Sequence, residues 1–295
     1  MIYIATCACL RIADISPTVT VVASIRERAA IFLGQHDRKK LDAGQHSWRY
    51  YAGGDGDPVL LLGGGSGIGI GWLDLAPALT PRFRTIAPDY PSSAGSCAEL
   101  VDGLVAALDA EGVDRAHVVG QSAGGMFAEL LSRRVPDRVR SLTLSSTGLY
   151  GAEDVDRLRM RVETTLATPW PQTQEAIRTA LRSTWQDSED AEFWIEQVVT
   201  AGDAAGSAGA ANSYRLLLEL AEGVDELMRG PAWAGPTLLF RADDDPLITT
   251  THAGRLRALH PDCDFRTFPD GGHSLLISRT ADYIGTVTDF LVHPD

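Results

Sequence analysis

The sequence predicts an α/β protein: a mostly parallel central sheet flanked by helices, with a helical lid insertion. Three observations carry this. Short strand-like apolar runs alternate with segments of helical periodicity. The alternation lapses once, from Gly151 to about Arg229, where only helical patches appear. It then resumes near Thr237 and continues to Leu291. Strand–helix alternation places the strands in parallel and the helices on both faces of the sheet. The expected division is an N-terminal extension over 1–44, a core over 45–149 and 230–295, and a lid over 150–229.

The elements follow in order. His46 to Tyr51 and Val59 to Leu62 read as strands, separated by the turn chemistry of Gly53-Gly54-Asp55-Gly56-Asp57-Pro58. Trp72, Leu75, Ala76 and Leu79 have helical spacing. Arg84 to Ala87 is a short strand ending at Pro88. Ser96 caps a helix in which Leu100, Leu104 and Leu108 recur every fourth residue. Ala116 to Gly120 is a strand, Gly124 to Arg134 a helix stopped at Val135-Pro136, and Val139 to Ser145 a strand. After the insertion come a strand at Thr237 to Phe240, a helix from His252 to Leu259, a strand at Phe265 to Phe268, and a helix from Arg279 to Leu291.

The insertion is acidic. Between Glu153 and Arg229 stand fifteen acidic and seven basic residues, so this segment supplies −8 of the chain's net charge of −13. Trp170, Trp185, Phe193 and Trp194 lie there too. Acid outside and aromatics inside suit a lid over an apolar pocket, or an ordinary amphipathic subdomain. Ala201 to Asn212 reads as a loop or hinge within it.

Composition narrows the function classes. A formal charge of −13 argues against nucleic acid as a partner, which requires a basic surface. No apolar run reaches the ~20 residues that span a bilayer. Cys7, Cys9, Cys97 and Cys263 form neither a disulfide framework nor a metal-type pattern, which predicts a reducing, cytoplasmic setting. Cys7-Ala8-Cys9 is too close for a redox pair, and the apolar N-terminus lacks the basic stretch of a secretory leader. No metal and no organic cofactor is implied; the expected partner is an apolar small-molecule substrate.

The chemistry concentrates at Gly120-Gln121-Ser122-Ala123-Gly124. A serine on a very sharp strand-to-helix turn crowds its neighbours, so the residues two before and two after it must be small. The same turn lifts the hydroxyl above the sheet and aims a helix N-terminus at it. A nucleophilic serine needs an acid and then a histidine downstream. Asp243-Asp244-Asp245 follows the strand at Thr237, and His273 lies in Gly271-Gly272-His273 after the next strand.

With GQSAG, DDDPLI and GGH in this order, the chain from about Trp48 to Leu291 resembles the serine-nucleophile type of the α/β-hydrolase fold superfamily. The resemblance implies that Asp245, the last acid before Pro246, completes a Ser122–His273–Asp245 triad, with Asp244 the next candidate. Asp243 and Asp244 then sit at a solvated turn. His36, His46, His117, His252, His260 and His293 are assigned surface or packing roles.

The remaining motif is LLLGGGSGIGIGW, Leu60 to Trp72, with six glycines behind an apolar run. No window obeys GxGxxG and no lysine follows, so both nucleotide-binding patterns fail; Asp89 reads as a turn residue. In the superfamily this loop usually begins His-Gly, and an N–H two residues after the His helps to bind an oxyanion. Gly63 replaces that His, which implies Gly65 as the donor, Gly64 as the fallback and the Ala123 N–H as the second donor. WRYY, the glycine loop without His, and Asp89-Tyr90-Pro91 together resemble a bacterial group distantly similar to maspardin.

The resemblance implies a serine hydrolase acting through an acyl-enzyme on a neutral, apolar ester or related carbonyl compound. Gly64, Trp170, Trp185 and Trp194 are the candidate pocket residues. Two other classes stay open: a cofactor-free lyase or cyclase, and a binding protein with a leftover triad.

Overall fold

The computed structural model describes residues 23–186 and 188–294. Cys7, Cys9 and the apolar N-terminal run lie outside them. Eight strands form one sheet: β1 (Asp37–Ala43), β2 (His46–Gly53), β3 (Asp57–Leu62), β4 (Phe83–Asp89), β5 (Ala116–Gln121), β6 (Val139–Ser145), β7 (Thr237–Ala242) and β8 (Asp264–Phe268). Their order is β1-β2-β4-β3-β5-β6-β7-β8. The pairs β1–β2 and β2–β4 are antiparallel, and the rest are parallel.

This order creates the site. The chain leaves β3 for β4 on one side, then returns past β3 to β5 on the other. The loops after β3 and β5 therefore depart in opposite directions from adjacent strand ends and leave a crevice between them. The glycine loop follows β3, and Ser122 follows β5.

Burial explains why the central strands read as unbroken apolar runs. Val59, Leu60, Leu61 and Leu62 are all fully buried, because helices cover both faces. Leu60 and Leu62 join one core cluster, Val59 and Leu61 the other, as the period of two requires. The first cluster holds Leu100, Leu104 and Leu108 of α3 (Cys97–Ala110), and Phe127 and Leu131 of α4 (Ala123–Arg134). The second holds Phe32 of α1 (Ile25–Gln35), Leu75 and Leu79 of α2 (Leu75–Leu79), and Tyr283, Val287 and Phe290 of the last helix.

Two expectations need correction. Residues 23–44 are more than an extension: α1 buries Phe32, and β1 is the edge strand of the sheet, paired with β2 from Asp37↔Ala52 to Ala43↔His46. Its sequence, DRKKLDA, hides the strand because an edge strand is mostly solvated, and charge there discourages unwanted pairing. The second concerns Ala201 to Asn212. Instead of a loop it is almost entirely helical, since alanine is the strongest helix former. α7 (Ala191–Asp203) and α8 (Gly206–Glu222) leave only Ala204-Ala205 between them.

The insertion comprises α5 (Ala152–Ala167), α6 (Trp170–Thr184), α7, α8 and α9 (Val224–Arg229). α5 and α8 pack along each other. α8 is bonded to the core: Asn212 Nδ2 donates to Ala94 O at 2.6 Å, and the Cys97 N–H donates to Glu219 Oε2 at 3.0 Å. The chain returns through β7, α10 (Thr250–Leu259), β8, the short α11 (Leu275–Ser278) and α12 (Thr280–Val292). No helix among the described residues is long and apolar enough to cross a membrane.

Candidate active site

Ser122 occupies the turn between β5 and α4 with φ 54° and ψ −123°. A side chain in that region costs about 1–3 kcal/mol and persists only when its surroundings enforce it. Here they do. The Ser122 N–H donates to Ser145 O at 3.0 Å, and Thr147 Oγ1 donates to Ser122 O at 2.6 Å. The two flanking glycines are required by close approach. A Cβ on Gly120 would lie 2.5 Å from Gly124 O, and one on Gly124 would overlap the Leu62 carbonyl.

The hydroxyl meets an imidazole. His273 Nε2 lies 2.8 Å from Ser122 Oγ, and His273 Nδ1 lies 3.0 Å from Asp245 Oδ2 and 3.1 Å from Oδ1. The Asp245 side chain is fully buried. Burial opposes its ionisation, but the His273 hydrogen bond and charge, with the Ile248 and Leu247 N–H groups, outweigh it and hold the carboxyl below the ordinary carboxylate range. An ionised Asp245 accepts a hydrogen bond from Nδ1–H, which leaves Nε2 to accept one from the Ser122 hydroxyl. The three groups, brought from the ends of β5, β7 and β8, form one hydrogen-bonded chain.

The glycine loop stands beside it. Tyr90 Oη donates to Gly63 O at 3.0 Å, and the Gly69 N–H donates to Asp89 Oδ1 at 2.7 Å. Asp89 therefore braces this loop and is more than a turn residue. A Cβ on Gly64 would stand 3.4 Å from Ser122 Cβ and 2.6 Å from Gln121 Oε1, while one on Gly65 would meet nothing within 4 Å. Gly64 is thus tightly held beside Ser122 and Gly65 has open space. Among the described residues, the N–H groups of Gly64, Gly65 and Ala123 meet no protein acceptor. Ala123 begins α4, so its N–H carries the positive end of the helix dipole at Ser122.

Some residues set aside by the sequence serve the site. Asp244 does not merely sit at a solvated turn: it accepts the Gly272 N–H at 2.8 Å and the Gly271 N–H at 3.3 Å, pinning the loop that carries His273. Gln121 Nε2 reaches His273 O at 3.4 Å. Thr147 had no signal beyond its place after β6. The aspartate run was the visible clue to Asp244.

The tryptophans separate. Trp185, at the end of α6, donates from Nε1 to Ser274 Oγ at 2.9 Å, directly beside His273. Trp194 is buried in the second core cluster. Trp170 is used inside the insertion, with Nε1 donating to Asp203 Oδ1 at 3.2 Å and its ring against Gly202. Both of these contacts lie within the insertion.

Five of the other histidines, His36, His46, His117, His252 and His260, are buried, while His293 is exposed. His117 lies 2.7 Å from Ser141 Oγ, and burial, aided by Arg140, pushes its pKa down to about 4. His36 bonds Phe32 and Thr85, and His260 bonds buried Glu129 at 2.6 Å. One group among the described residues has metal-ligand chemistry: Glu153, Asp154 and His252. Its donors are already engaged. Arg255 holds both Glu153 oxygens, Arg157 and the Gly151 N–H hold Asp154, and His252 Nε2 bonds Asp154 at 3.0 Å.

A parallel sheet with a strained serine, imidazole and carboxylate at its strand ends is the architecture of one large family. The family model for the alpha/beta hydrolase fold matches residues 57–280, and the chain belongs to that family. It is 26% identical to sn-1-specific diacylglycerol lipase ABHD11 of Mus musculus over 185 residues, 59% of this chain and 58% of that protein. It is 37% identical to 2-hydroxy-6-oxo-6-phenylhexa-2,4-dienoate hydrolase of Burkholderia cepacia over 113 residues, 34% of this chain and 39% of that one. These matches span less than two thirds of either relative. A hydrolase from Pseudomonas aeruginosa superposes with a TM-score of 0.73 at 21% identity, covering 86% of this chain and 98% of its own, which shows the shared fold.

Proposed function

We propose that this chain is a serine hydrolase that acts through an acyl-enzyme on a neutral, apolar small-molecule ester or related carbonyl substrate. The observation that carries the reading is the unbroken Ser122–His273–Asp245 hydrogen-bond chain. Ser122 Oγ bonds to the carbonyl carbon as its proton passes to His273 Nε2. The oxyanion so formed accepts the Ala123 N–H and an N–H of the glycine loop, Gly65 or its neighbour Gly64. Collapse breaks the bond to the leaving group, which takes the proton from His273. Water then repeats the sequence on the acyl-enzyme, with His273 as general base and then general acid. Asp245 fixes the tautomer and stabilises the imidazolium.

The substrate class rests on charge and on the relatives. An insertion of net charge −8 repels anions, nucleic acid included. Of the relatives named above, the lipase is named for a neutral ester, diacylglycerol, while the dienoate hydrolase, named for an anionic oxo acid, shares with it only the carbonyl centre. Free Cys97 and Cys263 are consistent with the cytoplasm. A fluorophosphonate probe tests the reading. Wild-type protein should form an adduct on Ser122 and hydrolyse acyl esters of graded length, while Ser122→Ala should do neither. A folded wild type that takes no adduct overturns it.

A further inference from the structure

Ser274 starts α11, a position where a serine normally turns its hydroxyl onto the first N–H groups of its own helix. Here it makes no such cap. The backbone carbonyl of Ser274 accepts the Ile277 and Ser278 N–H groups at 2.7 and 2.9 Å, and its Oγ accepts the Trp185 indole N–H at 2.9 Å. The hydroxyl next to His273 is thus committed to the insertion and not to its own helix.

The loop around His273 is otherwise restrained by the core. Asp244 holds the Gly271 and Gly272 N–H groups, Ser278 Oγ donates to Gly271 O at 2.6 Å, and Gln121 reaches His273 O. These contacts act on the glycines before the imidazole and on its main chain. The Trp185 contact acts on the following residue and comes from the insertion.

The corner that carries Trp185 is itself docked. Asp190, which precedes α7, pairs with Arg28 of α1, and Arg28 Nε also meets Asp74 at 2.9 Å. Phe193 and Trp185 pack on the cluster that buries Trp194 and Leu275. Seating this corner brings the indole to Ser274.

We propose that Trp185 is a positioning residue: through Ser274 Oγ it holds His273 in register with Ser122, so proton transfer is efficient only while the α6–α7 corner is seated on the core. The inference rests on the hydrolase reading and adds to it a dependence on the insertion. A substrate that displaces the corner would disengage the histidine, and one that fits beneath it would not.

The test compares wild type with Trp185→Phe, which keeps an aromatic ring but loses the N–H, with Ser274→Ala, and with the double variant. The readout is the rate of Ser122 labelling by a small fluorophosphonate over a range of probe concentrations. Each single variant should lower the maximal rate about tenfold, with the half-saturating concentration unchanged and the double variant no slower than either single. Tm should stay within about 2 °C in Ser274→Ala, because no cap is lost. Labelling of the variants at the wild-type rate, losses that multiply in the double variant, or a fall in Tm that tracks the fall in rate would each overturn the inference. Failure of the wild type to label at all overturns the hydrolase reading itself, a different result from equal labelling of wild type and variants.

Discussion

The elbow at Ser122 and the α6–α7 corner meet at His273 and its neighbour Ser274, and different physics holds each in place. At the elbow the backbone has one solution. Gly120, Gly124 and the Leu62 carbonyl touch, and Ser145 and Thr147 grip Ser122 through its own peptide groups. At the corner, side chains do the holding: one indole hydrogen bond to Ser274 and one guanidinium shared by Asp74 and Asp190. Backbone sterics leave a local motif with fixed spacing. Side-chain contacts between distant segments leave none. The contrast predicts that substitutions at the elbow and its partners act on chemistry or on the whole fold, and that those at the corner act locally.

The largest effect belongs to the hydrogen-bonded chain. Asp245→Asn keeps the size of the buried side chain but removes the charge that fixes the His273 tautomer, so Ser122 labelling and ester turnover should fall by about 10³–10⁴ with the far-UV spectrum unchanged. Next comes the backbone. Gly124→Ala forces a methyl group onto the Leu62 carbonyl and should cost about 3 kcal/mol or more in denaturant unfolding. The same change at Gly65, where no atom stands within 4 Å, should alter stability by about 0.5 kcal/mol or less. Equal costs at the two glycines would break the distinction between a forced turn and an open loop.

His117 supplies a pH test within the core. Burial keeps it neutral, so its folded pKa, about 4, lies below the ordinary imidazole value of 6.5. Protons then bind the unfolded chain preferentially. The stability tied to neutral His117 is fully present above pH 6.5 and is lost as pH falls toward 4. Between those limits the wild type should lose up to about 3 kcal/mol more than His117→Gln, read from urea midpoints at each pH. Parallel curves would show that the imidazole titrates freely.

How much was legible follows the same division. Ser122 and His273 could be picked out because each stands in a turn whose neighbours are constrained, whereas the choice of Asp245 over Asp244 came from the family resemblance. The spacing of Gly120 and Gly124 is a steric requirement, and the Pro246 and Gly272 turns mark strand ends. The central strands were visible because both faces are buried. β1 was not, since an edge strand of charged residues leaves no apolar signature. The helices across 201–212 were hidden by glycines amid alanines. Thr147 and Ser274 were out of reach because their value lies in partners up to 89 residues away, as with Trp185 and Ser274, and Asp244 showed only as part of the aspartate run. Trp170 was grouped with the pocket because a tryptophan shows its size in sequence, but not its hydrogen-bond partner, Asp203.

The two halves of the insertion provide the smallest and sharpest comparison. α8 is tied into the core by the buried Asn212 side chain and by Glu219, so Asn212→Ala, which strips the Ala94 carbonyl of its donor, should lower global stability by about 1–2 kcal/mol. Arg28 is partly exposed, and its pairs with Asp74 and Asp190 are correspondingly weak. Burial pushes the Asp74 carboxyl up; Arg28 pulls it back down, and Asp190 adds to the rise, so the two acids compete for a single cation. Arg28→Gln should therefore leave the urea midpoint nearly unchanged while amide hydrogen exchange in α7 quickens about fivefold and that in α8 does not. Faster exchange in both helices would mean that the insertion opens as one body, and Trp185 could then leave Ser274 only when α8 also leaves the core.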